Sequence, residues 1–549
     1  MKNIYHSFYG FLVICIGCTS VKTPEDFSEM IDADNIERHI KTLASDEYMG
    51  RRPGTIGESK TIQYIQDRFN DYGLKPINGG SFLQPFVINE IKPVPPQKMN
   101  VEIGSEQIEY LLKEDFIAKT NYRDDPVTIE NKELVFIGFG IVAPEFDWDD
   151  YQGIDVKDKV VITLYSDPGL YDSTFFNGIN ATKYAYIEHK KKEAFSRGAA
   201  GLFTIFHDTG PTGMNWPLVQ ILATRSNHYL EGDLPEVSEE LLFSGMLSVE
   251  MTKELLRKSG NKDDYIKNAL SKNFKPVNLG AKISMTLSSE LREFTTNNVI
   301  GMVKGSKRPE ECVIYTAHWD HDGISENPVN GDSILNGAID NASGTAMVIE
   351  TARVFSELPK KPERSVLFFL TSAEEMGLLG AKYYANKPLL PIHKTVAVIN
   401  TDASHATYPM RVAVNVLKGH TDLDSIVDAS AITIGREIIP DPTPQIGAFQ
   451  RSDHYPFVQK GVPGIWAVGG DDPLEGDSTE AMRLIYEYGS TKYHQVTDEY
   501  YEGFLMGNIR LDATFNLVVG HNIANSNIWP NWLEEGEYKV LRDSAMSIR

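Results

Sequence analysis

Four short apolar runs constrain the fold of this chain more than any other feature. They are CVIYT (312–316), SVLFFL (365–370), TVAVIN (395–400) and GIWAVG (464–469). Amphipathic helical segments separate them, for example 342–358. Short buried strands that alternate with helices predict an α/β fold. The expected core is a mainly parallel-stranded mixed sheet flanked by helices.

Upstream the texture differs. Asn35 is placed to cap a short helix with Ile36, Ile40 and Leu43 on one face. A second amphipathic helix is expected over about 57–72, with Gly73 ending it. From about residue 131 the runs ELVFIGFGIV, KVVITLYSDPG and GLFTIF read as strands, with a polar helix over 184–197 between them. No cluster of His and carboxylates follows those strands, so 131–285 reads as an inserted module without chemistry of its own. At roughly 150 residues per domain, the 549 residues then divide into a leader (1–18), a split catalytic domain (30–115 plus 290–549) and the insert.

The leader reads MKNIYHSFYGFLVICIGC, with a positive start, a short apolar stretch and a small residue before Cys18. This is the pattern of a secretory signal, too short to span a bilayer. Its ending resembles a bacterial lipoprotein signal, in which Cys18 would be lipidated. The expected location is the cell envelope, lipid-anchored at the periplasmic face or outer membrane, or outside the cell as a secreted protein. Membrane contact is expected only through that anchor. Two of the three cysteines, Cys15 and Cys18, belong to the leader, and the third is Cys312. A disulfide framework and a thiolate metal site are excluded on that count. With 53 basic against 76 acidic residues the net charge is −23. Nucleic acid is therefore not an expected partner, because phosphates are bound by clustered Lys and Arg.

In open α/β sheets, sites collect beyond the carboxyl ends of the strands. After CVIYT comes AHWDHDG, with His318 and Asp320. Before the next helix lies NGAIDNASG, with Asp340. TSAEEMG follows SVLFFL and carries Glu374 and Glu375. TDAS follows TVAVIN and carries Asp402. RSDHYPF with His454 and KYHQVTDEY with His494 lie further on. Three strand ends thus deliver a His or a carboxylate each, a donor set suited to zinc or a hard divalent cation. Neighbouring glutamates leave the backbone in different directions, so one can bind metal while the other faces the water.

AHWDHDG, GAIDNASG, TSAEEMGLLGA, INTD and YHQVTDEY resemble, in order, the motifs of the M28 family of zinc peptidases. The loop LASDEYMGRRPGT near the N-terminus also fits that family. The stretch GFGIVAPEFDWDDYQGIDVKDKVV resembles the protease-associated (PA) domain that many members carry. The resemblance implies two Zn2+ ions. His318 and Asp402 would hold one, Glu375 and His494 the other, and Asp340 would bridge them. Glu374 would be the general base, and Asp320 would hold His318 in position from behind. A cis peptide is expected at Asp340–Asn341. His454 would line the substrate cleft or stand behind the ligands, and Tyr493 would donate to the developing oxyanion. The implied activity is hydrolysis of peptide substrates by an exopeptidase, with aminopeptidase the leading specificity. A carboxypeptidase would need an Arg for the substrate carboxylate. Arg51, Arg52 and Arg451 are the candidates, although Arg51 and Arg52 are expected to brace the N-terminal loop. A glutaminyl-cyclase-like enzyme with one zinc and a non-catalytic binding protein on the same fold are the remaining alternatives.

Overall fold

The computed structural model describes residues 24–548, apart from 124, 207–215, 217–218, 221–224, 237–238 and 261–263. Cys15, Cys18 and the rest of the leader lie outside the described residues.

The four apolar runs form strands Arg308–His318, Arg364–Thr371, Thr395–Asn400 and Gly464–Gly469. They are all parallel, in the spatial order 364–371, 308–318, 395–400, 464–469. Side chains along a strand alternate between faces, and here both faces are covered. Val313, Tyr315, Val366, Phe368 and Ile399 meet helices Ala33–Leu43, Gly344–Glu357 and Gly507–Asn525 in one cluster. Cys312, Ile314, Leu367, Phe369 and Val398 meet Tyr384 and Phe457 in another. This double burial is why the runs are continuously apolar. Arg364 is the exception, fully buried and satisfied by Glu311 at 2.7 Å and the carbonyls of Ile523 and Ile528. Antiparallel strands Val277–Val303 and Val412–Asn415 flank the parallel set, so the sheet is mixed.

The first helix begins earlier than its sequence suggested. Asp32, not Asn35, is its cap, accepting from the Asp34 N–H at 2.9 Å. Helix Ile56–Asp71 is capped by Thr55, and Gly73 follows at φ +67°.

The insert begins before residue 131. Met99, Val101, Tyr110 and Phe116 share a core with Leu134, Phe136, Val160, Phe203 and Ile283. The boundary expected at 115 therefore falls inside this module. The reason is strand pairing: hairpin Lys98–Ile103/Glu106–Leu111 pairs with the long strand at Ala281–Ile103, not with the catalytic sheet. Strands Val127–Phe136, Val160–Leu164, Gly201–Ile205 and Phe243–Leu247 run parallel through it. Lys190 is buried inside, donating to the carbonyls of Phe139, Leu164 and Ser166, and burial pushes its pKa down to about 7.

Strand Val277–Val303 ties the two cores together. Its 27 residues span roughly 90 Å at strand geometry. Residues 277–287 pair within the insert, 288–299 pair with Leu83–Val94, and 299–303 pair with Arg364–Thr371. The insert also returns one strand to the catalytic side: Asn227–Leu230 pairs antiparallel with Leu83–Val94, placing His228 opposite Glu90.

Candidate metal centre

Parallel register brings the strand ends together. His318 sits opposite Thr371, and Thr316 opposite Asn400. Glu374, Glu375 and Asp402 therefore emerge just past the same edge as His318. The Nε2 atom of His318 lies 3.3 Å from both Asp402 Oδ1 and Asp340 Oδ1. Asp340 comes from the turn Ala338–Ser343 at the head of helix Gly344–Glu357. Its peptide bond to Asn341 is cis. Asp498 anchors that turn, its carboxylate accepting the N–H groups of Ile339 and Asp340, each at 3.0 Å. Gly337 allows the turn to close, since a Cβ there would stand 2.1 Å from the Asp340 carbonyl oxygen.

The other oxygen of Asp340 serves a second group. Its Oδ2 lies 3.2 Å from Nε2 of His494, which is itself 3.3 Å from Glu375 Oε2. One carboxylate thus stands between two donor groups. Glu374 lies within the same compass, its oxygen within 4.8 Å of donor atoms of His318 and Glu375. The backbone N–H of Glu374 donates to Asp320 Oδ1 at 3.1 Å.

Asp320 differs from expectation in how it acts. Its backbone carbonyl, at 3.1 Å, meets Nδ1 of His318, while its carboxylate is 4.0 Å away and holds Glu374 instead. His454 does not line the cleft. It is fully buried, with Nε2 on the Phe449 carbonyl at 2.9 Å. Packing against Phe449 and Trp466 holds the ring in the interior. Its neighbours reach the site instead: Ser452 donates to Asp402 Oδ2 at 2.6 Å, and Asp453 is buried against Thr371. Tyr493 stands at the open edge, 39% exposed, its ring centroid 4.0 Å from that of His494.

Two residues of AHWDHDG were missed. His321 Nδ1 is 2.7 Å from Glu375 Oε1, and its Nε2 is buried without a partner. Asp322 Oδ2 is 3.6 Å from Nδ1 of His494. The spacing of His318, Asp320 and Asp322 in one motif was the available signal. The insert, read as a module without chemistry of its own, also contributes: Arg225 reaches Asp322 at 3.1 Å.

Arg51 does brace the N-terminal loop, and it does more. Fully buried, its guanidinium donates to the carbonyls of Leu43, Trp319, Asn336 and Gly337. Trp319 lies between His318 and Asp320, and Gly337 just precedes Asp340. Arg52 pairs with Glu90 at 3.1 Å. Replacing a donor that satisfies buried carbonyls leaves each of them unpaired, at about 1–3 kcal/mol apiece. Arg51→Met is therefore expected to lower the unfolding free energy by about 3 kcal/mol or more. Urea unfolding of the metal-free protein measures this, and an unchanged midpoint contradicts it.

The electrostatics test whether these residues suit a cation. Burial, and then the carboxylates of Asp402, Glu375 and Asp453, hold Glu374 well above the usual carboxylate range against the pull of His318. Burial opposes charge on His318, yet Glu374 and Asp402 outweigh it and raise its pKa well above the ordinary value. His494 is likewise penalised by burial but pushed up to about 9 by Glu375 and Asp340. Burial opposes charge on Asp340 too, yet the bonds to His318 and His494 hold it well below the usual carboxylate range, so the centre gathers negative charge that calls for a cation. Donor groups His318–Asp340–Asp402 and Asp322–Glu375–His494, each within 4.8 Å, fit that need with nitrogen and oxygen ligands alone.

Comparison with known proteins agrees with this geometry. Residues 298–504 match the model of Peptidase family M28. Aminopeptidase NAALADL1 of Mus musculus is 35% identical over 130 residues, covering 23% of this chain and 16% of that protein. A glutamate carboxypeptidase 2 homolog of Caenorhabditis elegans is 28% identical over 203 residues, covering 35% and 24%. A probable zinc metalloprotease of Pyrenophora teres f. teres is 34% identical over 104 residues, 19% of this chain and 22% of that protein. The matches thus span less than a quarter of these curated relatives. Among solved structures, an aminopeptidase from Aneurinibacillus sp. strain AM-1 shares the fold, with a TM-score of 0.58 at 18% identity over 94% of this chain and 99% of that one. The motifs and the strand-end geometry fall within residues 298–504, the part of this chain that matches Peptidase family M28.

Proposed function

We propose that the protein is a two-zinc exopeptidase that removes residues from the free N-terminus of peptides. The observation that carries this reading is the shared carboxylate of Asp340, 3.3 Å from His318 on one side and 3.2 Å from His494 on the other. His318, Asp340 and Asp402 would hold one ion, and Asp340, Glu375 and His494 the second. When bound, these ions would lower the pKa of the attacking water and polarise the scissile carbonyl. Glu374 accepts the water's proton and returns it to the leaving amine. Asp320 keeps that base in place through the Glu374 N–H, and Ser452 fixes the outer oxygen of Asp402. Tyr493, at the open edge, donates to the carbonyl oxygen as it gains charge.

The aminopeptidase specificity rests on charge and on the name of one relative, Aminopeptidase NAALADL1. Arg51 and Arg52 are already committed to carbonyls and to Glu90. The carboxylates of Asp322 and Glu375 at the site suit a substrate ammonium better than a carboxylate. The test is a hydrolysis panel of free, N-acetylated and C-amidated peptides, with and without chelator. Cleavage of free and C-amidated peptides, lost with chelator, is expected. Cleavage of N-acetylated peptides with rejection of C-amidated ones would establish a carboxypeptidase, with exposed Arg451 as its anchor. One zinc per chain would favour the cyclase-like alternative.

We also propose lipid attachment at Cys18. Metabolic labelling with a radioactive fatty acid should mark the wild type and not Cys18→Ser, and an unlabelled wild type rejects the anchor.

A further inference from the structure

The insert supplies a side chain to the metal centre. Arg225 lies two residues before the strand Asn227–Leu230, whose pairing with Leu83–Val94 fixes it against the catalytic domain. His228 reinforces the docking, 3.5 Å from buried Glu90. From there Nη2 of Arg225 reaches both oxygens of Asp322 at 3.1 Å and Oε2 of Glu375 at 3.5 Å. Asp322 faces the Nδ1 edge of His494, and Glu375 faces its Nε2 edge. A ring whose far nitrogen is held by a carboxylate keeps its ligating nitrogen aimed. Among the described residues, the other half is held from within the catalytic domain: His318 is oriented by the Asp320 carbonyl and Asp402 by Ser452.

We propose that Arg225 is a positioning residue, through which the insert assembles the Glu375–His494 half of the centre while the His318–Asp402 half stands without it. Arg225 holds Asp322 against His494 and restrains Glu375 on the opposite edge. Without its charge, three carboxylates (Asp322, Asp340 and Glu375) surround one imidazole with no fixed cation between them. The insert is then part of the site and not an appended rim. This inference rests on the two-zinc reading above.

The test is zinc titration of the full-length protein against a competing chelator, followed by metal analysis. The wild type should show two binding events, and a wild type that binds no zinc overturns the two-zinc reading itself before any variant is compared. Arg225→Ala is expected to weaken one event about tenfold to a hundredfold, the usual cost of losing a partner behind a ligand. The other event should keep its affinity. Arg225→Lys should recover part of the loss, because its ammonium restores the charge that the single Nη2 brings to all three oxygens. Asp322→Asn, which keeps shape and removes charge, should weaken the same event and serves if Arg225→Ala folds poorly. A merely structural role for Arg225 would lower the melting temperature of the metal-free protein and weaken both events together. That outcome, or unchanged affinities in Arg225→Ala and Asp322→Asn, overturns the proposal while leaving the two-zinc reading intact.

Discussion

Glu374→Gln is expected to keep both zinc ions and to lose about a thousandfold in turnover, the range of a lost general base. Gln has the size of Glu and the same backbone N–H, so the bond to Asp320 Oδ1 at 3.1 Å remains. What disappears is the ability to take and return a proton. None of the proposed ligand pairs involves Glu374: the short contacts run among His318, Asp340, Asp402, Glu375 and His494. Metal content and activity should therefore separate in this variant. Metal analysis together with steady-state rates decides the matter. Activity near that of the wild type would remove Glu374 from the mechanism, and loss of zinc would make it a ligand.

Asp340→Ala should do the opposite and empty both positions. Asp340 spans the two imidazoles proposed as ligands, its Oδ1 3.3 Å from His318 and its Oδ2 3.2 Å from His494. Its removal leaves His318 with Asp402 and His494 with Glu375, two donors where a closed zinc site needs three or four. Zinc content is expected to fall below one ion per chain and peptide hydrolysis to background. Asp402→Asn, which touches only one side, should spare the second ion. The comparison matters because Asp498 anchors the same turn, and a general collapse of the turn would abolish both ions in either variant. Retention of two ions by Asp340→Ala contradicts a shared carboxylate.

Much of this was legible before any coordinates. Continuous apolar runs announce strands buried on both faces, and they became the parallel centre of the sheet. The residues just past them cluster because parallel strands in register end at one edge. Locating a cap, by contrast, depends on where the backbone first turns, and Asp32 and Asn35 are equally good capping residues in sequence. The boundary of the insert was misplaced because hairpin 98–111 has the texture of either sheet, and only its partner strand assigns it. His454 read as a residue of the cleft or behind the ligands because RSDHYPF resembles a recurrent motif of the family. Its ring faces Phe449 and Trp466, while Ser452 and Asp453 face the site.

The sequence by itself determined the chemistry: which donors exist, that thiolates are absent from the mature site, and that carboxylates follow the strands. These are local properties, carried by residue type and by neighbours a few positions away. Tertiary structure decided which donors share a ligand. That Asp340 stands between His318 and His494 depends on segments more than 150 residues apart meeting at one turn. The reach of Arg225 across 97 residues to Asp322 depends on a strand of the insert docking on the catalytic side. Such contacts are set by backbone pairing over long chain separations, and no local pattern encodes them.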